Sequence, residues 1–300
     1  MKKILFFCFV GLLTFSCGNN VSTNPPQEIT LDDLFFGSDS TFEVVTWNIQ
    51  NFPKMSITTA NYVVQVIMTI DADVFALQEI ESSSYFDYVI SQLNEQDSLC
   101  VWDGYRASGA SYDVNLAYIY KSDIIQIDDI YEIFQDDWFA FPRSPLVFEL
   151  TYENEDLVVI NNHLKAGGEP EDEARRQEAS QKLQAFIDST FSETEVIIIG
   201  DLNDDITEPQ ATNVFWNFIE DTANYLFADL PIAEGSFAFW SYPSWPSHLD
   251  HILITNELFD EYEYSTVQTI LVDHYLDGGW HEYDVNISDH RPVGMKFAFE

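Results

Sequence analysis

The chain has 300 residues, and 12 lysine and arginine residues stand against 51 aspartate and glutamate residues, for a formal net charge of −39. Because 46% of the residues are hydrophobic and 15% are aromatic, the chain can bury a large core, which excludes intrinsic disorder. Footprints on nucleic-acid backbones are normally basic, so the charge argues against a tight nucleic-acid-binding protein.

The first residues resemble a secretory signal, because Lys2 and Lys3 precede a short apolar run. The sequence from Leu13 to Cys17 resembles a bacterial lipoprotein cleavage box, although leucine stands one position further from the cysteine than usual. We predict a signal peptide over residues 1–16 and a lipid on Cys17. The protein would then be exported and anchored to a membrane at the bacterial envelope or cell surface, or secreted if Cys17 carries no lipid.

The segment after the signal is rich in Asn, Ser, Thr and Pro, which predicts a flexible tether over residues 17–40. Organised sequence begins near Phe42, and neither a repeat nor a second linker follows it. We therefore predict a single folded domain over residues 41–300.

Apolar runs bounded by turn residues predict eight strands. They are expected at residues 42–49, 73–80, 115–120, 146–152, 157–163, 196–202, 251–255 and 293–299. Pro170 and the three acidic residues after it predict the start of a helix, with Leu183 and Ile187 on its apolar stripe. Strands that are apolar on both faces indicate sheets covered on both sides, which is typical of an α/β fold.

Polar motifs stand where six of these strands end or begin. They are Asn48-Ile49-Gln50, Leu77-Gln78-Glu79, Asn161-Asn162-His163, Gly200-Asp201-Leu202-Asn203, His248-Leu249-Asp250-His251 and Ser288-Asp289-His290-Arg291. A single polar residue after a strand is more often a turn former or helix cap. Six motifs together indicate a functional site, because strand ends hold side chains rigidly at the surface.

The motifs and their order resemble those of the endonuclease/exonuclease/phosphatase superfamily, the group of deoxyribonuclease I and exonuclease III, over roughly residues 42–299. Gly-Asp-Leu-Asn and Ser-Asp-His-Arg-Pro-Val are its most specific motifs in this chain. The resemblance implies a four-layer αββα sandwich of two mixed β-sheets with helices outside. It also implies that the domain at residues 41–300 is catalytic and hydrolyses a phosphate ester with the help of a metal ion.

The resemblance further implies that Glu79, Asn48 and Asp289 hold the metal. Mg²⁺ prefers oxygen ligands and takes only a few of them from protein, and Mn²⁺ or Ca²⁺ can substitute or assist. Zinc is not expected, because the histidines lack accompanying thiolates and only His248 and His251 are closely spaced.

Five further residues are assigned catalytic roles by similarity. Asp201 would orient or deprotonate the attacking water, and Asn203 would hydrogen-bond the phosphoryl oxygen. His163 and His290 would flank the phosphate as donors or proton carriers, since imidazole titrates near neutrality. Asp250 would orient His290 and fix its tautomer.

Two residues are predicted to bind the substrate phosphate. Arg143 resembles a family arginine that contacts backbone phosphate, although Ser144 follows it where many relatives have Pro or Glu. Asn115 is either a second phosphate ligand or a turn residue before its strand. The basic residues Arg175, Arg176 and Lys182 fit a solvated helix face.

The motifs determine the reaction rather than the substrate, because related cores cleave DNA, RNA, inositol phosphates, sphingomyelin and small phosphodiesters. The first hypothesis is an exported endonuclease that acts on DNA. The second is a phosphatase or phospholipid diesterase, and the third is a surface-binding lipoprotein without turnover. The aromatic loop at residues 237–245 offers stacking surfaces for bases, packing beneath the site or a lipid-facing surface.

A nucleic acid or another phosphodiester is expected as substrate only, with no protein partner, and the protein is expected to be a monomer. The net charge does not exclude such a substrate, because the electrostatic screening length at physiological ionic strength is about 8 Å. Basic residues beside a bound cation can then hold a phosphate in spite of distant acidic groups.

Overall fold

The structure is a computed structural model that describes residues 30–110 and 113–299. Its strands are β1 (Phe42–Phe52), β2 (Val74–Ile80), β3 (Trp102–Arg106), β4 (Asn115–Lys121), β5 (Ile125–Glu132), β6 (Leu146–Tyr152), β7 (Glu155–His163), β8 (Glu195–Asp201), β9 (Tyr225–Phe227), β10 (Asp250–Thr255), β11 (Thr266–Thr269) and β12 (Val293–Phe297). Its helices are α1 (Ile57–Ile70), α2 (Ser83–Gln96), α3 (Pro170–Thr190), α4 (Trp216–Glu220), α5 (Leu230–Ala233), α6 (Phe259–Tyr262) and α7 (Gly279–Asn286). All eight predicted strands and the helix predicted to start at Pro170 are present.

The strands form two six-stranded sheets. Sheet one has the order β11-β12-β1-β2-β4-β3, and sheet two has the order β5-β6-β7-β8-β10-β9. Each sheet contains one parallel pair, β1 with β2 and β7 with β8, while the other pairs are antiparallel. Both sheets are therefore mixed, as predicted.

Three hydrophobic clusters separate four layers. The first lies between the two sheets and contains Val44 and Phe148. The second joins sheet one to α1 and α2 and contains Trp47, and the third joins sheet two to α3 and contains Leu183. Successive side chains of β1 enter different clusters because side chains alternate along a strand. This double burial explains the apolar runs and confirms the four-layer αββα sandwich.

Four strands were not predicted from the sequence, namely β3, β5, β9 and β11. Three of them, β3, β5 and β11, expose many of their residues, and β3, β5, β9 and β11 all lie at the edges of their sheets. Edge strands bury less apolar surface than central ones and often carry charges, such as Asp128 and Asp129 in β5. Their sequences therefore lack the continuous apolar run that revealed the central strands.

The folded domain includes residues that were predicted to belong to the tether. Leu34 and Phe36, which were assigned to the tether at residues 17–40, are buried in the cluster between sheet one and its helices. The folded domain thus begins before residue 41. The predicted signal peptide, Cys17 and most of the tether lie outside the described residues. No helix within the described residues is long and apolar enough to cross a membrane.

Candidate active site

Strand register brings the predicted motifs to one end of the two sheets. Asp201 has two register partners. They are His163 in the parallel pair β7–β8 and Asp250 in the antiparallel pair β8–β10. In sheet one, Asn48 pairs with Gln78, which directly precedes Glu79. The carboxyl ends of parallel strands meet at one edge of a sheet, so both sheets present their polar residues at a common cleft.

A glycine allows β8 to lie close to its neighbour just before the cleft. Gly200 has φ 145°, and a Cβ atom at this position would lie 2.0 Å from the carbonyl oxygen of Asn162. Any other residue would push β8 away from β7. Gly200 therefore helps to hold Asp201 beside His163.

Asp201 lies at the centre of the site. Its Oδ2 accepts a hydrogen bond from Asn48 Nδ2 at 2.9 Å and lies 3.5 Å from His163 Nε2 and 3.8 Å from His290 Nε2. Burial, together with the charges of Asp250 and Glu79, raises its pKa to about 7, against the opposing effect of His290. Asp201 is thus a carboxylate that can accept a proton near neutral pH.

His290 is held by the carboxylate of Asp250, with Nδ1 donating to Oδ2 at 2.7 Å. Burial disfavours the charged imidazole, but Asp250 and Asp201 outweigh it and raise the pKa of His290 to about 10. His290 is therefore protonated at neutral pH, and its Nε2 is directed towards Asp201. This contact is the one that the predicted orienting role of Asp250 requires.

His163 has the opposite protonation behaviour. Burial lowers its pKa well below the ordinary value, and the charges of Arg143 and His290 lower it further. Its Nε2 lies between Asp201 and Glu79, at 3.9 Å from Glu79 Oε1, and its buried Nδ1 has no hydrogen-bond partner among the described residues. His163 is thus a neutral imidazole in the wall of the cleft.

Two site residues adopt left-handed backbone conformations that non-glycine residues rarely take. Glu79 has φ 62° and Asn203 has φ 56°. The backbone N–H of Asn51 donates to Glu79 Oε2 at 2.8 Å, and that of Asn203 donates to Asp201 Oδ1 at 3.2 Å. Such conformations cost energy and are typical of functional sites. The side chain of Asn203 donates through Nδ2 to the Leu164 carbonyl oxygen at 3.3 Å.

The oxygen donors of the cleft fit a hard divalent cation. Burial raises the pKa of Asp289, and the nearby charge of Glu79 contributes to this rise. Glu79 likewise raises the pKa of Asp201. These carboxylates repel one another, so a cation among them would be stabilised, and an all-oxygen donor set suits Mg²⁺.

Asn48 is oriented as a hydrogen-bond donor in this structure. Its Nδ2 donates to Glu79 Oε1 at 3.2 Å as well as to Asp201, and its Oδ1 accepts from the backbone N–H of Gln50 at 3.0 Å. A ligand role requires the amide to turn so that its oxygen faces Glu79. The metal role of Asn48 stays a prediction.

Gln50 belongs to the site although no role was predicted for it. Its Nε2 donates to Asp289 Oδ2 at 2.8 Å, and its Oε1 accepts from Lys54. Gln50 stands two positions after Asn48 on β1, and residues two apart share one face of a strand. Its position two residues after Asn48 could therefore have identified Gln50 as a site residue from the sequence.

The two predicted phosphate ligands have different surroundings. Arg143 Nη1 contacts the Leu164 carbonyl oxygen at 3.4 Å, and burial lowers the pKa of the guanidinium while Glu79 and Asp201 oppose that shift. Arg143 therefore interacts electrostatically with the carboxylates of the cleft. Asn115 is fully buried and uses its side chain within its own loop, accepting from Ala110 N and donating to Asp113. This geometry favours the turn role, and phosphate binding by Asn115 stays a prediction.

The aromatic loop at residues 237–245 combines packing with exposure. Tyr242 packs against the ring of His290 with 4.8 Å between centroids, and it closes a hairpin by pairing with Ser247. Trp245 lies at the tip of this hairpin and is 78% exposed. The loop thus forms one wall of the cleft and presents an indole to solvent beyond it.

A second buried cluster lies directly behind the site and consists of Asp229, His248 and His251. Asp229 Oδ2 accepts from His251 Nδ1 at 2.6 Å and from His248 Nε2 at 3.0 Å. His251 Nε2 donates to the carbonyl oxygen of Asp204 at 2.9 Å, in the loop that carries Asn203. Burial opposes the charge on His251, but Asp229 outweighs it and raises the pKa of His251.

The protonation pattern makes this cluster a hydrogen-bond network rather than a metal site. His248 Nδ1 accepts from the backbone N–H of Ser241 at 3.3 Å, so its proton must lie on Nε2, which faces Asp229. A metal ligand would need that nitrogen unprotonated. Asp229 was not predicted, since nothing in the local sequence relates it to two histidines far along the chain.

Comparison with known proteins supports the same fold. The structure of D. rerio TDP2 complexed with a single-strand DNA product has 15% identity and a TM-score of 0.65, covering 87% of this chain and 100% of that chain. The human Nocturnin catalytic domain with bound sulfate has 17% identity and a TM-score of 0.61, covering 87% and 95%. An endonuclease/exonuclease/phosphatase from Bacteroides vulgatus has 13% identity and a TM-score of 0.61, covering 87% and 100%.

A search among curated proteins found no match. A model described as the Endonuclease/Exonuclease/phosphatase family matches residues 45–290, a span that contains every predicted metal, catalytic and phosphate-binding residue. Because this match covers most of the chain, the resemblance of the motifs is confirmed, and the chain belongs to the endonuclease/exonuclease/phosphatase family.

Proposed function

We propose that the protein is an exported, Mg²⁺-dependent phosphodiester hydrolase whose first candidate substrate is DNA. Family membership supports hydrolysis of a phosphoric ester. The observation that carries the proposal is the position of Asp201 between two histidines of opposite protonation, with Asp250 fixing one of them. A binding protein without turnover would not need this arrangement, so the non-catalytic hypothesis is the weakest of the three.

The side chains divide the work of in-line attack on phosphorus. Asp201 positions a water and accepts its proton, because its pKa lies near neutrality. Protonated His290 donates a hydrogen bond to a phosphoryl oxygen, and Asn203 provides a second donor. Neutral His163 holds the opposite side of the phosphate without adding charge. Preorganised donors of this kind stabilise the charge that develops in the transition state.

Glu79 and Asp289 would hold the divalent cation, joined by Asn48 if its amide turns. The bound cation would neutralise the phosphate oxygens. A thermal unfolding series tests this point: Mg²⁺ should raise the melting temperature of the wild-type protein. Glu79→Gln should abolish the rise, whereas Glu95→Gln, a change of the same kind on the exposed face of α2, should retain it.

Two observations favour a nucleic-acid strand as substrate. The D. rerio TDP2 structure contains a single-strand DNA product, and the hairpin of this chain packs Tyr242 against His290 and exposes Trp245 at its tip. Aromatic side chains next to a phosphate site serve as stacking surfaces for bases.

A phospholipid diesterase is the second candidate function. Phe237, Phe239 and Trp245 of the aromatic loop are 66%, 52% and 78% exposed. Exposed aromatic side chains on one loop can also insert at a lipid surface.

A substrate panel separates these functions. The domain without residues 1–16 is incubated with Mg²⁺, Mn²⁺, Ca²⁺ or chelator on plasmid DNA, RNA, an inositol polyphosphate, sphingomyelin and a chromogenic phosphodiester. Metal-dependent nicking of plasmid supports the endonuclease, and activity on sphingomyelin or inositol phosphate alone rejects it. Asp201→Ala and His290→Ala serve as controls for contaminating nucleases.

Export and lipidation form a separate part of the proposal. They rest on the signal-like residues 1–16 and on Cys17. Labelled palmitate should be incorporated into the full-length chain expressed in a bacterium and not into Cys17→Ser. Incorporation into both chains, or into neither, contradicts a lipid on Cys17.

A further inference from the structure

The distribution of unpaired cations singles out one place beside the active site. Seven of the described lysine and arginine residues form ion pairs with carboxylates. Arg143, Arg175 and Lys296 have no such partner among the described residues, and Lys296 donates to the Phe36 carbonyl oxygen. In a chain with 51 acidic residues, two arginines without carboxylate partners in one place are unexpected.

Arg143 and Arg175 line the same groove, together with Trp138 and with Lys165, whose ammonium group pairs with Asp172 at 2.7 Å. We call these four residues the basic groove. Its volume is about 450 Å³, and the remaining lining consists of Val114, Pro142 and Ala166. No acidic residue among those described lines it. The volume lies within the range of about 300–1,000 Å³ that is usual for small-molecule sites.

Arg175 supports the aromatic wall of the groove. Its Nε donates to the Phe139 carbonyl oxygen at 2.6 Å, and its Nη2 donates to that of Trp138 at 2.9 Å. The guanidinium also lies over the Trp138 ring at 5.9 Å from its centroid. The indole of Trp138 is 70% exposed, so a flat face stands open to solvent beside a cation.

The basic groove adjoins the catalytic cleft. Arg143 contacts the carbonyl oxygen of Leu164, which follows His163 directly, and Lys165 is the next residue. Arg143 also interacts electrostatically with Glu79 and Asp201. A chain bound with one phosphate at His163 can therefore place its neighbouring unit in the groove.

We propose that the basic groove binds the nucleotide next to the scissile phosphate of a single nucleic-acid strand, with Trp138 stacking on its base and Lys165 contacting its phosphate. This inference rests on the proposed function. An anionic group and a flat aromatic ring are the two chemical features that the groove complements, and each nucleotide of a strand provides both. A phospholipid headgroup offers the charge without the ring.

The test compares substrates with and without the neighbouring nucleotide. The kcat/KM of the Mg²⁺-loaded protein is measured on a short single-stranded DNA, on RNA of the same sequence and on bis(4-nitrophenyl) phosphate. Trp138→Ala and Lys165→Gln should each lower the oligonucleotide value about tenfold more than the value for the small diester. If the variants lower kcat/KM for DNA alone or for RNA alone, the result identifies which kind of strand the groove accepts.

Two control variants match these changes outside the groove. Lys296→Gln removes one positive charge from β12 in the other sheet, and Tyr264→Ala removes an aromatic side chain that is 78% exposed. Both should leave the ratio of the two kcat/KM values unchanged. Lys165→Gln should also reduce the slope of log KM against log salt concentration by about 0.7, which a purely structural role would not do.

The outcomes separate this inference from the proposed function. A wild-type protein that hydrolyses none of the three substrates with any metal contradicts the proposed function. Hydrolysis of oligonucleotides with unchanged ratios in Trp138→Ala and Lys165→Gln overturns the groove while the function stands. Hydrolysis of the small diester alone also overturns the groove.

Discussion

Two buried aspartate–histidine pairs occupy neighbouring positions, because Asp250 and His251 are consecutive residues of β10. In each pair, imidazole Nδ1 donates to an aspartate Oδ2, at 2.7 Å for His290–Asp250 and 2.6 Å for His251–Asp229. Both carboxylates are fully buried, and in both pairs the carboxylate raises the pKa of the histidine against the effect of burial.

The pairs differ at the other imidazole nitrogen. His251 Nε2 donates to the Asp204 carbonyl oxygen, and its side chain is completely inaccessible. His290 Nε2 faces Asp201 at 3.8 Å across the cleft, and its side chain retains 8% exposure. The His251–Asp229 pair thus stabilises the loop that contains Asp204, because His251 Nε2 is hydrogen-bonded to its backbone. In the His290–Asp250 pair, His290 Nε2 has no backbone partner and can contact a substrate.

Removal of the His290 imidazole should have the largest effect on activity. His290→Ala should lower kcat on a chromogenic phosphodiester by about 10³-fold or more, since a charged hydrogen-bond donor to the phosphate is lost. Because the fully buried Asp250 loses its partner, the melting temperature should fall as well, so kcat is measured below the melting temperature of the variant. Activity within tenfold of wild type would show that His290 is not a catalytic residue.

Weakening the same pair through its carboxylate should have a smaller effect. Asp250→Asn keeps the size of the side chain but removes the charge that supports the imidazolium, so kcat should fall about 100-fold. The pKa of His290, followed by NMR, should fall as well. An unchanged histidine titration with reduced kcat would contradict an orienting role for Asp250.

The matching substitution in the His251–Asp229 pair should lower the stability of the protein. Asp229→Asn leaves protonated His251 buried without its partner, so the free energy of unfolding should fall by about 3 kcal/mol. Denaturant titration measures this loss. Below the melting temperature, kcat should fall less than in Asp250→Asn, and a larger fall would mean that the two pairs are not separate in function.

The smallest expected effect is a pH dependence of stability. The raised pKa of His251 makes a stabilising contribution that is complete below the unfolded-state pKa near 6.5 and is lost as pH rises through the folded-state pKa. The facing groups are Asp229, His248, Asp250 and the Asp204 carbonyl oxygen.

The matched variant is His251→Gln, whose unfolding free energy is compared with that of wild type between pH 6 and pH 10. The difference should shrink towards the alkaline end, as the stabilising contribution of protonated His251 is lost. A difference that is constant over this range would mean that His251 is not protonated in the folded protein.

The central strands and the catalytic motifs could be predicted because both leave local signals. β1, β2, β7 and β8 are apolar on both faces, and the residues after them are polar. Edge strands such as β5 carry no such signal. Asp229 could not be recognised, because its partners lie 19 and 22 positions away and only the β9–β10 pairing unites them.

The basic residues of α3 show the same limit. A solvated helix face was predicted for Arg175, Arg176 and Lys182, yet Arg176 is 3% exposed and pairs with Asp204 at 2.7 Å. Arg175 supports Trp138 instead. Composition along a helix does not reveal which loops will fold over it, so tertiary contacts decide the role of each cation.

The order of sheet one has a consequence for when the cleft can assemble. β12 lies between β11 and β1, and Phe297 at its end pairs with Phe42 at the start of β1. The cleft itself unites Asn48 with His290. Contacts this distant in sequence form late in folding. The cleft therefore cannot assemble until β12 has been synthesised and has paired with β1, and a chain that ends before β12 should lack the complete site.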